Sequence, residues 1–366
     1  MNQPKRYSNF NATMAIAKAS FRSIIRSPSA VVFSLAFPLI FIVVFANIGG
    51  GGVKVDVGVA KTCDTVGRVY QALKHSGIVN LITNESTDEM AKSLSKGNID
   101  AIIDVRKNNA MPPYTLNVQY TEASQQKGGI LKSLLQSIFF QINSRGNTVT
   151  QPVAEMKETT VKGREYKYID FILPGMLGFS LLSSGVFGTA FVFLSLRLTL
   201  VIKRFFATPV KKYSIVLGEA LARLVFSLLG AVFIILVGHY WFGFTLVHGV
   251  VTVLNMLVLS SIGLIIFMGF GFTISGIAKN ESTVPPLSNI ITLPQFLLSG
   301  TFFATTAFPG WLQSISKILP LTYLNDAMRK VAFEGAGLNE VTHQLLILGI
   351  WFIVIYAVAV KTFKWE

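Results

Sequence analysis

Apolar residues fall along this chain in long blocks, with one polar stretch between the first block and the second. Val31 to Phe45, Phe171 to Leu196, Ile215 to Val237, Val250 to Ile277 and Gln344 to Val360 carry few charges or none. Crossing the hydrocarbon of a bilayer takes roughly 20 mostly apolar residues, so each block predicts a spanning helix. The stretch from Val284 to Lys317 is also apolar but holds Pro285, Pro286 and Pro294, then Ser299-Gly300 and a run of aromatics. Broken backbone at membrane depth is tolerated only where protein buries the freed polar groups. This stretch therefore predicts a fifth span followed by a re-entrant hairpin, with Leu321 to Glu340 external and the sixth span returning from Gln344.

Between the first two spans the pattern changes. Gly49 to Gly52 reads as a linker. Val53 to Ala60 then alternates apolar and polar positions as a half-buried strand does. Further strands are predicted at Gly77 to Thr83, Ile99 to Val105 and Tyr114 to Tyr120, and helices at Val66 to Lys74, Thr87 to Ser95 and Gly129 to Ile142. The fold class that follows is an α-helical polytopic membrane protein with six transmembrane helices. An extracytoplasmic α/β domain is inserted between spans one and two, and a re-entrant external hairpin follows span five. The expected divisions are a connecting helix over 1–28, span one over 29–48 and the α/β domain over 49–168. Spans two to six occupy 169–366, with a cytoplasmic coupling loop at 197–213 and an external re-entrant region at 300–320.

Charge orients this arrangement. Only 14% of the 366 residues are charged, against roughly 25% in soluble domains, and the net charge is +14. The cations flank the apolar blocks: Lys5, Arg6, Lys18, Arg22 and Arg26 before the first, Arg197, Lys203, Arg204, Lys211 and Lys212 after the second, Lys361 and Lys364 after the last. Cytoplasmic flanks are the ones enriched in Lys and Arg. Both termini and the 197–213 loop are therefore expected in the cytoplasm of a multi-pass plasma (inner) membrane protein, and 49–168 outside. This distribution accounts for the positive charge without nucleic acid. The single cysteine, Cys63, cannot form an intrachain disulfide, and His75, His239, His248 and His343 are too scattered for a metal cluster. The polar Met1 to Ser27 stretch and the absence of a small-residue cleavage site after Phe45 predict a retained first span.

Residues 8–27 have helical periodicity. Met14, Ala17, Phe21, Ile24 and Ile25 form an apolar stripe, and Lys18, Arg22 and Arg26 a basic one. The pattern is that of a helix lying in the membrane interface against lipid, with Lys18, Phe21, Arg22 and Arg26 as its candidate contacts. Glu219 and Arg223, four apart near the cytoplasmic start of span three, can pair on one helix face and snorkel to water. Gly175, Gly178, Gly185, Gly188, Gly263, Gly269 and Gly271 read as close-packing positions. Asn255, Asn289 and Gln295 read as polar glue within the bundle.

Three stretches together resemble the type-2 ABC transporter permeases, membrane subunits of ATP-driven exporters of drugs, lipids and polysaccharides. Arg22-Ser-Ile-Ile-Arg26-Ser-Pro28 followed by Phe37-Pro38-Leu-Ile-Phe41 is similar to the family's connecting helix and first span. Lys203-Arg204-Phe205-Phe206-Ala207-Thr208-Pro209-Val210, with Gly218 downstream, is similar to its coupling segment. Leu298-Ser299-Gly300-Thr301-Phe302-Phe303, Trp311-Leu312 and Leu319-Pro320-Leu321-Thr322-Tyr323 are similar to its external re-entrant region. In the α/β region, Asp88 to Val105 resembles the family's helix–strand unit. The chain departs from the family in Arg197-Leu-Thr-Leu-Val-Ile, where members often carry a glutamate and Gly-Thr-Leu. The resemblance implies that Lys203, Arg204, Phe205, Phe206, Thr208, Pro209 and Val210 couple to an ATPase subunit. It also implies that Ser299, Gly300, Phe302, Phe303 and Trp311 form an external gate.

No glycine in the chain is followed by lysine, so it has no P-loop to cradle phosphates. The expectation is a transport subunit that is not itself an enzyme and holds no catalytic residue, metal or cofactor. ATP and Mg would be bound by a separate ABC ATPase present in two copies. A second permease chain completes a homodimer, and membrane lipid surrounds it. An amphipathic, lipidic or drug-like cargo follows from the phenylalanine-rich spans. An ion-driven carrier would need inverted repeats and deep carboxylates, and an enzyme a catalytic constellation; none of these is seen. The alternative reading is a membrane-anchored receptor or assembly factor acting through its external domain.

Overall fold

The computed structural model describes residues 8–48, 55–83, 86–95, 97–108, 114–121, 124–144, 154–161, 167–201 and 207–363. They fall into two compact units, one formed by residues 1–49 and 168–366 and the other by residues 50–167.

The first unit is helical. Helix α1 (Asn9–Ile25) leads into α2 (Pro28–Val31), a π-helical turn (Val32–Ala36) and α3 (Phe37–Ile48), which follow one another without a break. Helix α7 (Tyr168–Ser183) continues through a second π-turn (Ser184–Gly188) into α8 (Thr189–Leu198). Then come α9 (Lys212–Phe242), α10 (Val250–Ile277), α11 (Val284–Leu298), α12 (Gly310–Ser316), α13 (Pro320–Arg329) with a third π-turn (Lys330–Glu334), and α14 (Thr342–Thr362). Among the described residues four helices are long and apolar enough to cross a membrane: Tyr168–Leu198, Lys212–Phe242, Val250–Ile277 and Thr342–Thr362. These coincide with four of the expected spans. The apolar helix at Ser34–Phe45 is shorter, and α11 has 15 residues.

Helix α10 is the hub of this unit. From Gly263 to Gly276 nearly every residue is buried, which explains why it shows no polar face. The outer helices bury one side only. Leu217, Leu229, Phe233 and Trp241 of α9 and Leu346, Ile350, Ile353 and Val360 of α14 are exposed. A water-soluble surface does not display apolar patches of that extent, whereas lipid is their ordinary solvent. Helix α11 carries the same sign. Ser288, Thr292, Gln295 and Ser299, spaced along one face, are buried, while Ile290, Leu293 and Leu297 are exposed. Polar-in, apolar-out is the arrangement membrane helices adopt.

One expectation is corrected here, and a second segment is seen in its packing. Pro285, Pro286 and Pro294 do not break α11: the first two occupy its opening turn, where no N–H is missed, and the third lies within the helix. Residues 321–340, expected on the external side, pack into the bundle, which leaves that side as an expectation. Leu321, Leu324, Ala327 and Met328 of α13, with Val331 and Ala332 after it, are buried in the same apolar core as α7 and α10. The amphipathic α13 turns Leu321, Leu324, Ala327 and Met328 to that core and keeps Tyr323 and Arg329 off it.

The second unit is built on a five-stranded sheet in the order β2-β1-β3-β4-β5. Its strands are β1 (Val55–Val59), β2 (Val79–Ile82), β3 (Ala101–Lys107), β4 (Tyr114–Thr121) and β5 (Ala154–Val161). Only the β3–β4 pair is antiparallel. Register places Val57 beside Ala101 and Ile103 beside Val118, so one face gathers Val55, Val57, Val59, Ala101, Ile103, Val105, Leu116 and Val118. Helices α4 (Arg68–His75) and α6 (Gln125–Ser144) cover that face with Val69, Leu73, Leu131 and Leu135. Helix α5 (Thr87–Ser95) packs Met90 and Leu94 against Ile99, Ile102 and Val161 on the other side. Strand β5 went unread in the sequence: AEMKETTV has few apolar positions, and its eight paired residues on β4 supply what pattern does not.

Candidate coupling and gating sites

Helix α1 meets α9 along most of its length. Gly218 lets them touch: a Cβ there would stand 2.7 Å from Ile16 Cγ2 and 3.0 Å from the Thr13 carbonyl oxygen. Ala17 faces the protein, and Ile24 and Phe21 pack with Ala222 and Phe226 of α9. The apolar stripe expected to lie against lipid is thus largely taken up by protein, leaving Met14 and Ile25 exposed. Lys18, Arg22 and Arg26 are exposed. Of the expected coupling residues, Lys203, Arg204, Phe205 and Phe206 lie outside the described residues. Thr208 and Pro209 are exposed in a turn that leads, through half-buried Val210, into the start of α9. Helix α8 is fastened nearby. The Arg197 guanidinium donates to the carbonyl of Ala278, at the end of α10, and so supplies a partner for a carbonyl that the helix cannot satisfy itself.

A cavity of about 370 Å³ opens between α1, α8 and α9, with Ser20, Ser23, Ser195 and Glu219 on its wall. Here the sequence expectation fails in detail. Glu219 and Arg223 do not form an ion pair among the described salt bridges, and both are buried. Arg223 is 5% exposed and donates from Nη1 to the Ser184 carbonyl at 3.2 Å and from Nη2 to the Gly188 carbonyl at 2.8 Å. Glu219 is turned to α1, where its Oε1 accepts a hydrogen bond from the Ser20 hydroxyl. The i, i+4 spacing put both groups on one face, but the π-turn offered the cation a better partner than the carboxylate did. Spacing within α9 carries no sign of that.

The expected gate residues divide. After α11, Gly300 takes φ +71, a left-handed conformation natural to glycine, and turns the chain. Ser299 and Phe302 are buried, whereas Phe303 and Trp311 are exposed. The turn is held by side chains that sequence reading did not single out. Asn325 donates to the Ser299 carbonyl at 3.2 Å, and Tyr168 donates through its hydroxyl to the Phe302 carbonyl at 2.8 Å. Arg329 donates to the carbonyls of Gly300 and Phe171 and lies 3.7 Å over the Phe171 ring. Gly175 admits the turn, since a Cβ there would come within 2.7 Å of the Thr301 oxygen. Phe302 closes onto Phe41, Phe45 and Phe296 at ring separations of 5.5, 5.3 and 4.8 Å. Phe37 and Phe179 extend this aromatic seam along α3 and α7. Among the described residues no three acidic, His or Cys side chains could hold a metal.

Residues 28–361 match the family model described as ABC-2 family transporter protein. The chain belongs to the ABC-2 family of transporters. Curated relatives agree. ABC transporter G family member 20 of Dictyostelium discoideum is 26% identical over 368 residues, covering 95% of this chain, and the chain spans about half that relative's length, 50%. The inner membrane transport permease YadH of Escherichia coli is 22% identical over 55% of this chain and 75% of its own. The "Probable multidrug ABC transporter permease YbhS" of Escherichia coli is 18% identical over 88% of both chains. Membership of that family makes the apolar helices described above those of a membrane-embedded transporter.

Proposed function

We propose that this chain is the permease of an ATP-driven exporter, carrying an amphipathic, lipidic or drug-like substrate outward. A separate ATPase subunit, in two copies and binding ATP and Mg, energises a pair of identical permease chains. Six spans make up each permease: the continuous Pro28–Ile48 run and α11 join the four long helices. Both termini and the 197–213 loop lie in the cytoplasm, because that is where the flanking cations cluster. The sheet unit, which follows the first span, lies outside the membrane.

The observation that carries this reading is the aromatic seam. Phe45, Phe41, Phe37, Phe179, Phe296 and Phe302, on α3, α7, α11 and the turn after it, each contact the next, and Phe302 meets Phe45 again. All except Phe302 are only half-buried. Half-covered rings offer broad apolar contact with little ordering cost, which suits a greasy or flat cargo. Ser299, Gly300 and Phe302 close the seam at one end, with Phe303 and Trp311 outside it, as a gate needs. The word "multidrug" in the printed name of YbhS supports the same substrate class. At the other end, Lys203, Arg204, Phe205, Phe206, Thr208, Pro209 and Val210 dock on the ATPase, with aromatic anchors beside cations as in protein interfaces generally. Lys18, Phe21, Arg22 and Arg26 set α1 at the interface, the three cations towards lipid headgroups.

The test is affinity purification from native membranes with an ATPase assay, alongside the Phe205→Ala/Phe206→Ala variant. A stoichiometric P-loop ATPase is expected with the wild type, and the variant should lose or uncouple it. Absence of any ATPase from the intact chain in several mild detergents would reject the exporter reading.

A further inference from the structure

Helix α9 touches both the leading helix and the middle of the second span, and a line of buried polar groups runs through it. Ser20 of α1 donates to Glu219. One turn on, Arg223 reaches across to the π-turn of the α7–α8 helix and holds the carbonyls of Ser184 and Gly188. The hydroxyls of Ser184 and Ser227 pair at 3.0 Å beside it. A Cβ on Gly188 would overlap the guanidinium, so the space Arg223 occupies exists only because residue 188 is glycine. Gly185, in the same turn, lies against Phe267 of α10.

A π-turn is a single-turn departure from α-helix that recurs at functional sites. The π-turn presents the Ser184 and Gly188 carbonyls towards α9, and the Arg223 guanidinium donates to both. The two features hold each other. If the turn straightened to α-helix, those carbonyls would shift away and Arg223 would lose two buried hydrogen bonds, which is costly. If Arg223 withdrew, the carbonyls would lose their donor. A displacement of either member therefore displaces the other, and such a contact links the two helices.

We infer that Arg223 is a positioning residue that converts movement of α1 into a change at the Ser184–Gly188 turn of the second span. It acts on transport through that turn and touches no substrate. The inference rests on the permease reading, because that reading docks the motor on the segment leading into α9, against which α1 packs, and puts the aromatic seam, through Phe179, on α7.

Hydrogen–deuterium exchange of the peptide covering 181–192 tests this in the intact complex with its ATPase, comparing nucleotide-free protein with protein trapped by ATP and vanadate. In the wild type the turn should exchange differently in the two states. In Arg223→Gln and Glu219→Gln that difference should fall about tenfold, the size of an ordinary coupling between sites, while the ATPase stays bound and hydrolyses ATP. Arg223→Lys, which keeps the charge but cannot fork across two carbonyls, should restore part of it. Glu219→Gln leaves the cation in place, so it reports even where Arg223→Gln does not fold. Equal exchange in both states of an ATP-hydrolysing wild type overturns the inference and leaves the permease reading standing. Variants that keep the full wild-type difference overturn it equally. A wild-type preparation with no ATPase overturns both.

Discussion

The two units of this chain bury charge by different means. In the helical unit Arg223 and Arg329 are cations with backbone carbonyls for partners, taken from a π-turn in one case and from a helix end and a turn in the other. In the sheet unit Asp100 is 3% exposed. It accepts from the Asp56 backbone N–H at 2.7 Å and from Ser124, and pairs with Lys127 at 3.2 Å. Helices in an apolar setting have few free backbone groups, so a buried cation there needs a defect in the ladder. A mixed sheet offers free N–H groups wherever a strand begins, and Asp100, just before β3, uses one at β1. Arg223 in the first unit therefore marks irregular helix, whereas buried Asp170, which accepts from the Thr245 N–H at 2.7 Å, marks a meeting of elements as Asp100 does in the second.

Breaking each kind of site ranks the consequences. Gly188→Leu should do the most harm, since the new side chain evicts a cation from the space it fills. About 3–5 kcal/mol is the ordinary cost of leaving a buried charge uncompensated, and the expected result is loss of the monodisperse full-length protein on size-exclusion chromatography. Arg329→Ala should cost about 2–3 kcal/mol by leaving the Gly300 and Phe171 carbonyls without that donor. Heating the detergent-solubilised protein should show it as a lowered midpoint. Asp100→Ala, at about 1–3 kcal/mol, should act on the other unit alone, so limited proteolysis should cut near β1 and β3 while the helical unit stays protected.

A finer contrast is available at the same residue through pH. Desolvation pushes the Asp100 carboxyl above its usual range, and Lys127, Ser124 and the Asp56 N–H only partly oppose this. The folded unit therefore binds the proton more tightly than the unfolded chain does. Its stability from this group falls as pH rises from the ordinary aspartate value, about 3.9, through the raised one. Asp100→Asn cannot ionise and should flatten that dependence in proteolysis measured across the acidic range. The smallest effect expected is Tyr168→Phe, about 1 kcal/mol for one hydrogen bond to Phe302. It should loosen the turn after α11 and register only as a slight loss in thermal midpoint.

These sites differ in how far the sequence announced them. Glu219 and Arg223 were conspicuous as charges in an apolar block, yet their partners were misjudged, because Ser20 is 199 positions from Glu219 and the Ser184 carbonyl has no sequence signature. Gly300 and its neighbours were legible as a motif; Tyr168, Asn325 and Arg329, which hold the turn, were not. Strands β1 to β4 follow the alternation of their side chains, while β5 exists by virtue of its register with β4.

Hydrophobic blocks, charge flanks and two-residue alternation are local quantities, and from them alone came the four long membrane helices and the strands that bury one face. Which carbonyl a cation meets, which helix covers an amphipathic stripe and whether a segment near the surface is buried depend on residues distant along the chain. Packing settled those: α1 lies on α9, α13 enters the core, and Arg223 reads the backbone of another helix. The physical reason is that burial of a side chain is a property of the neighbours that surround it, and only the folded chain supplies them.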